Sequence, residues 1–387
     1  MDTKAVTIPI LLLGFLSLSA CNYPGLQGGG EMDVPVATPT TAPIEATALP
    51  SPSPTTEVLD PTQEPLPLTS ETIPISIDNV KELVLQTQLQ SELNNIHAAF
   101  DLSVDGQYIA LSQWYVPENV VRIWDLEQGS FIESLTFHAK DVVAIAFSPI
   151  GTVLASGSQD GMVALWEVGT WEMIESFLGY AEGVSSLDFS PDGSKLAVGG
   201  YRNQLGVWRL EDGERLHYYD GSGPHLVNKV TFTQDGREYY ADTGYADITA
   251  WSTDNGDLIR SFRGEACIGG FDLSSDETML AYSSSCSAAH EPHDPLATIA
   301  IRDVASGEAL VYGALKETST HVYFTDDDAL IISNSGGTIR FWDAEDGSLH
   351  YQLPPTGRVV DFMLSDDGSL LIVGDADGDV LVYGVGP

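Results

Sequence analysis

From residue 73 onward, short apolar runs alternate with polar turns at a steady beat. Val143-Ala144-Ile145-Ala146-Phe147 ends on Ser148-Pro149, and Leu187-Asp188-Phe189 ends on Ser190-Pro191-Asp192-Gly193. Asp361-Phe362-Met363-Leu364 likewise ends on Ser365-Asp366-Asp367-Gly368. Such runs are too short for helices and rich in β-branched and aromatic residues, so they predict strands. Pro at a fixed φ and Gly at positive φ make the intervening segments tight turns. A second kind of run follows later in each unit: Val120-Val121-Arg122-Ile123-Trp124-Asp125, Val163-Ala164-Leu165-Trp166-Glu167 and Thr338-Ile339-Arg340-Phe341-Trp342-Asp343. Trp124, Trp166, Trp208 and Trp251 are 42, 42 and 43 residues apart. The equivalent of the next Trp falls within Ile301-Arg302-Asp303-Val304, after a step of 51, and is followed by Trp342 and Tyr383 at steps of 40 and 41.

This sevenfold period resembles the WD-repeat family. The resemblance spans 73–387, and its seven units average 45 residues. It implies an all-β chain in which each unit is a four-stranded antiparallel blade around a central channel. A lone blade would expose two apolar faces, so neighbours must stack. The last unit ends after its third strand, near Asp379-Val380-Leu381-Val382-Tyr383. Residues 81–87 have strand character and are expected to supply the missing outer strand, so that this blade has no incomplete edge. The resemblance also implies a structural hydrogen-bonded set of His138, Ser156, Asp160 and Trp166. Other units depart from it: six residues before the Trp stand Arg202 and Gly336.

The first 72 residues follow another logic. Lys4 precedes an apolar stretch from Ala5 to Leu18, too short to span a bilayer but of signal-peptide length. Leu18-Ser19-Ala20-Cys21 resembles the bacterial lipobox. It implies a signal peptide over 1–20, lipidation of Cys21, and a bacterial, extracytoplasmic protein anchored to a membrane. Two or three acyl chains hold stably where one holds marginally. Residues 21–72 are rich in Pro, Thr and Ser and carry no Lys or Arg, a composition that cannot offset its own ordering entropy. A disordered tether is expected there.

Charge narrows the partners. With 56 acids against 16 bases, the net charge of -40 argues against nucleic acid, which binds through Lys and Arg. Within 73–387 there are 48 acids and 15 bases, a net charge of -33. Many acids belong to two turn classes that a blade places on one face: Asp105, Asp192, Asp235 and Asp276 in one, Asp125, Asp212, Asp303 and Asp343 in the other. Solubility and the turn preference of Asp account for them, and steering of a basic partner is the alternative. Asp375 to Asp379 resembles part of a calcium loop but lacks the later bidentate Glu, so it reads as a turn. An exported chain with Cys21 lipidated leaves Cys267 and Cys286 as a pair. Strand alignment puts them near-opposite in one hairpin, and a disulfide between them is expected. The fifth unit holds an insertion, Ala288-Ala289-His290-Glu291-Pro292-His293-Asp294-Pro295. His290 and His293 are weak metal candidates, because no distant third ligand can be named. No cofactor is expected.

The sequence thus points to a membrane-anchored, non-catalytic protein-interaction platform with a monomeric propeller and unidentified protein partners. His138, Ser156 and Asp160 invite a catalytic-triad reading, but no oxyanion motif accompanies them. The alternative functions are binding of a small ligand or metal, and binding of a surface glycan by exposed aromatics. Tyr201, Tyr239, Tyr240 and Tyr245 are the candidates for the latter.

Overall fold

A computed structural model describes residues 73–89, 97–113, 119–221, 225–243, 247–263, 268–284, 298–314, 319–335, 337–354, 359–375 and 377–386. Seven four-stranded antiparallel sheets follow one another along the chain. They are blade 1 (97–136), blade 2 (142–178), blade 3 (184–220), blade 4 (230–263), blade 5 (268–314), blade 6 (319–352) and blade 7 (359–385). Blade 2 illustrates the pattern. Its inner, second, third and outer strands are Val142–Phe147, Val153–Ser158, Met162–Glu167 and Met173–Leu178, paired in that order.

Blade 7 has only three consecutive strands of its own. Its fourth is Leu83–Leu89, which pairs antiparallel with the last strand, Leu83 opposite Val385 and Leu89 opposite Val380. The closing strand therefore comes from the start of the domain. It begins two residues later than the sequence pattern suggests, because Val80–Glu82 forms a 3-10 turn first. That turn fixes the approach: Val80 is buried beside Ile75 and Leu83 in the core between blades 6 and 7.

The core is divided among the blade interfaces. Ala110, Val121 and Ile123 of blade 1 pack on Phe147, Leu154 and Trp166 of blade 2. Ala155 and Val163 of blade 2 pack on Phe189, Val198 and Trp208 of blade 3. The same arrangement recurs between every consecutive pair. It also joins blade 7 to blade 1, where Ile372, Val380 and Val382 meet Phe100, Ile109 and Leu111. That last interface closes the ring. Strand alternation explains the division, since successive side chains on each strand face opposite neighbours.

The register is the same throughout. The residue at the Trp position pairs with an apolar residue of the second strand: Ile109 with Trp124, Leu154 with Trp166, Leu196 with Trp208, Tyr239 with Trp251. Leu280 with Arg302, Ile331 with Trp342 and Leu371 with Tyr383 complete the set. Arg302 thus stands where four earlier blades have Trp.

Candidate functional site

A four-stranded meander puts the turn between inner and second strands at the same end as the turn between third and outer strands. Both acidic turn classes accordingly lie on one face. Six of the seven inner turns share one construction. A Ser or Thr hydroxyl donates to the Asp two residues on, as from Ser103 to Asp105 (2.6 Å), Ser190 to Asp192 (2.6 Å) and Ser365 to Asp367 (2.7 Å). The same hydroxyl accepts the amide five residues on, and the Asp accepts the amide two beyond itself, as at Lys195 and Ser194. The Ser190 hydroxyl and the Ser194 amide hold the Asp192 carboxyl down to about 2. Blade 2 departs: Ile150 replaces the Asp and is 54% exposed.

These turns touch one another around the channel mouth. The Gln234 amide donates to Glu277. The Ser275 amide and hydroxyl donate to the two Asp328 oxygens at 2.7 and 2.6 Å. On the opposite arc, Val104 and Ile150 are exposed apolar residues on adjacent turns. The mouth therefore has an acidic arc and an apolar arc, both held by hydrogen-bonded turns.

Above the mouth, the inner strands line the axis. Two residues before each turn Ser or Thr stand Asp101, Ala146, Asp188, Thr231, Asp272, Tyr323 and Met363. Four residues before it stand Ala99, Ala144, Ser186, Lys229, Gly270, His321 and Asp361. The three aspartates occupy alternate blades and do the same work. Each accepts an inner-strand amide of the next blade: Asp101 from Phe147 (2.6 Å), Asp188 from Phe232 (2.6 Å), Asp272 from Phe324 (3.0 Å). Lys229 Nζ lies 3.3 Å from Asp272 and 4.7 Å from the centre of the Tyr323 ring. His321 Nδ1 lies 3.1 Å from Asp361.

Two of the lumen aspartates, Asp101 and Asp188, are electrostatically opposite to the turn residue Asp192. Burial pushes Asp101 up to about 7, against the Phe147 and Leu102 amides. Burial likewise pushes Asp188 up to about 7, against the Phe232 amide and the Lys229 charge. Asp242, on the second strand of blade 4, is also raised to about 7 by burial, against the Lys229 amide and the Asn228 side chain. Sequence reasoning missed these groups. The available signal was an Asp inside an apolar inner strand, as in Phe100-Asp101-Leu102 and Phe271-Asp272-Leu273.

The structure brings His138, Ser156, Asp160 and Trp166 together. Trp166 Nε1 donates to Ser156 Oγ (3.0 Å), which lies 2.9 Å from His138 Nε2. His138 Nδ1 lies 3.3 Å from Asp160, which also accepts the Ala139 and Met162 amides at 2.7 and 2.8 Å. With the indole N–H spent on Ser156, the serine proton points to His138 Nε2, leaving the Nδ1 proton for Asp160. Burial lowers the histidine, with Asp160 pulling the other way. Burial alone would raise Asp160, but the Ala139 and Met162 amides and His138 outweigh it. Ser156 is wholly buried, so no substrate carbonyl reaches its hydroxyl. The set locks the entry to blade 2 onto its sheet.

Cys21, Cys267, Cys286, His290, His293 and Tyr245 lie outside the described residues. Among the described residues, no group of three or more His, Cys, Asp or Glu side chains could hold a metal ion. No described helix is long and apolar enough to cross a membrane. Tyr239 and Tyr240 are each 2% exposed, which corrects their reading as glycan platforms. Their rings face the interfaces of blade 4 with blades 3 and 5.

The family model described as nucleolar protein 10-like, N-terminal domain, a β-propeller, matches residues 113–295. That match and the seven-bladed ring support a WD-repeat-like propeller. A comparison with curated proteins finds no match.

Proposed function

We propose that this chain is a non-catalytic protein-interaction platform, held outside the cytoplasm by lipid on Cys21 and extended from the membrane by residues 21–72. The observation that carries the reading is the preformed mouth, where six turns of repeated construction and the departing turn of blade 2 present an acidic arc beside the exposed Val104 and Ile150. Hydrogen-bonded turns lose little conformational freedom on binding, which favours recognition over chemistry. β-Propellers of this kind commonly serve as interaction platforms, though fold alone does not set function. The charge fits a partner with basic groups around an apolar contact. Crosslinking in intact cells, followed by isolation of the protein, tests this. A stoichiometric protein partner that is lost in Cys21→Ala is the expected result. A folded, anchored protein that captures no partner overturns the reading.

A further inference from the structure

The outer strand of one blade covers the Trp of the next. In blade 2 the outer-strand residue opposite Val163 is Phe177, and in blade 3 the one opposite Leu205 is Tyr219. The Phe177 ring stacks on Trp208 of blade 3, with centres 5.6 Å and planes 27° apart. The Tyr219 ring lies 4.8 Å from Trp251 of blade 4 and stays 39% exposed. Leu135 and Phe262 hold the same place in blades 1 and 4. Two residues earlier in the outer strand stand Glu175 and His217. His217 covers the next blade's turn, donating from Nε2 to the Thr253 carbonyl (2.8 Å), and a Cβ added at Gly256 would meet its ring.

Blade 5 breaks this pattern. The residue opposite Ile299 is Gly313, and the one opposite Ile301 is Val311. Neither brings a ring to Trp342 of blade 6, which is only half-buried. A cleft lies at this junction, lined by Ile299, Ile301 and Val311 of blade 5 and by Ile331, Trp342 and Gly347 of blade 6. It encloses about 250 Å³ counted with the solvent in its opening. That suits one side chain better than a drug-sized molecule. Asp343 also lines it. Its Oδ1 accepts the Glu345 and Asp346 amides at 2.8 and 3.3 Å, which leaves Oδ2 to pair with a cation. Glu345 and Asp346 are exposed beside it.

We infer that the cleft between blades 5 and 6 docks an aromatic side chain from a basic segment of a partner protein. The ring takes the place on Trp342 that Phe177 takes on Trp208, and flanking Lys or Arg residues meet Asp343 and its acidic neighbours. The inference shares with the reading above only that the partner is a protein. It needs neither the lipid nor the mouth.

Calorimetric titration of the whole chain with acetyl-KKFKK-amide tests it, against acetyl-KKAKK-amide and acetyl-EEFEE-amide. The phenylalanine peptide is expected to bind roughly tenfold tighter than its alanine counterpart, and the acidic peptide not to bind. Gly313→Phe supplies the ring internally and should abolish the preference for phenylalanine. Should Gly313→Phe fail to fold, Val311→Arg decides, since Arg260 stands at that position in blade 4 and brings bulk and positive charge to the cleft. Equal affinity for the two basic peptides overturns the inference, as does equal affinity for the two phenylalanine peptides. So do a Kd for acetyl-KKFKK-amide weaker than about 1 mM and an undiminished preference in the folded variant. The test uses no membrane and no cellular partner, so it can fail while the crosslinking succeeds, and the reverse.

Discussion

At the residue scale, the seven Trp-equivalent positions show how one packing problem receives several solutions. Blade 2 uses the full hydrogen-bonded set around Trp166. In blade 6 Trp342 Nε1 keeps the equivalent serine, Ser333, at 2.8 Å. In blade 4 the serine position is Ala241, and Trp251 bonds instead to Thr249 on its own strand (2.9 Å). Blade 3 has Val198 there, and Tyr180 takes the place of the histidine and donates to the Val198 carbonyl (2.9 Å). In blade 5 Arg302 replaces the Trp and reaches the Tyr282 hydroxyl at 3.2 Å. In blade 1 the serine position is Leu111, and Trp124 Nε1 is buried with no partner among the described residues. The gradient makes a prediction for blade 2. Ser156→Ala strands the Trp166 N–H and His138 Nε2 in a dry site, and leaving buried polar groups unpaired costs ~1–3 kcal/mol. Urea unfolding should show a lowered midpoint with unchanged slope. A change within about 0.5 kcal/mol would mean that packing alone holds the blade, as in blade 1.

At the element scale, two features repeat along the ring. Opposite each Trp-equivalent residue, the outer strand carries one extra residue, a bulge that recurs in blades 1 to 6. The closing strand has it too, between Leu85 and Thr87. In four blades the bulged residue is an exposed apolar one: Ile132, Ile174, Ile259 and Leu310. A bulge bends and twists the edge strand, so these apolar edges are poor templates for pairing with another chain. The closing strand has the larger energetic consequence. It completes a sheet and buries Leu83 and Leu89 at two different blade interfaces. A chain beginning at residue 90 exposes the edge of Val380–Val385 and loses both contacts, so it should melt well below one beginning at 73. Coincident melting curves would show that the ring is held without this strand. The position of this strand was legible because the sevenfold count leaves one strand short at the end. The bulges were not legible, since an extra residue in an outer strand leaves the Trp spacing unchanged.

At the scale of the whole molecule, two sets of aspartates have opposite effects on stability. Turn aspartates such as Asp192 are held low by hydroxyls and amides. Asp101, Asp188 and Asp242 are raised to about 7 by burial. In these three the folded protein holds a proton more tightly than the unfolded chain. Their contribution is therefore fully present below about pH 4 and is lost as pH rises toward 7. His138 acts the other way, because its lowered value makes protonation below about 6.5 unfavourable to the fold. Three groups outweigh one, and relief of repulsion within a chain of charge -40 adds to them. Tm should rise as pH falls from 7.5 to about 5.5, then fall at lower pH as turn carboxylates protonate. A Tm that falls steadily from pH 7.5 downward would show that the lumen carboxylates stay ionised and hydrated.

The sequence alone determined the repeat number, the strand order within a blade, the strand that closes the ring and the turn construction. The repeat number, the missing last strand and the tight turns follow from local periodicity and from the chemistry of neighbours a few residues apart, and the strand order is what the resemblance to the WD-repeat family implied. Tertiary structure decided what the inner strands do. Asp101, Asp188 and Asp272 are distant in sequence, and only closure of the ring turns them toward a shared axis, each against the next blade's amide. Their burial, and the placing of Lys229 beside Asp272, arise from that convergence. A tyrosine likewise reads the same in a strand whether it faces solvent or a neighbouring sheet. Stacking of blade 4 against its neighbours put Tyr239 and Tyr240 inside, because desolvating two large rings at the interfaces is worth more than leaving them in water.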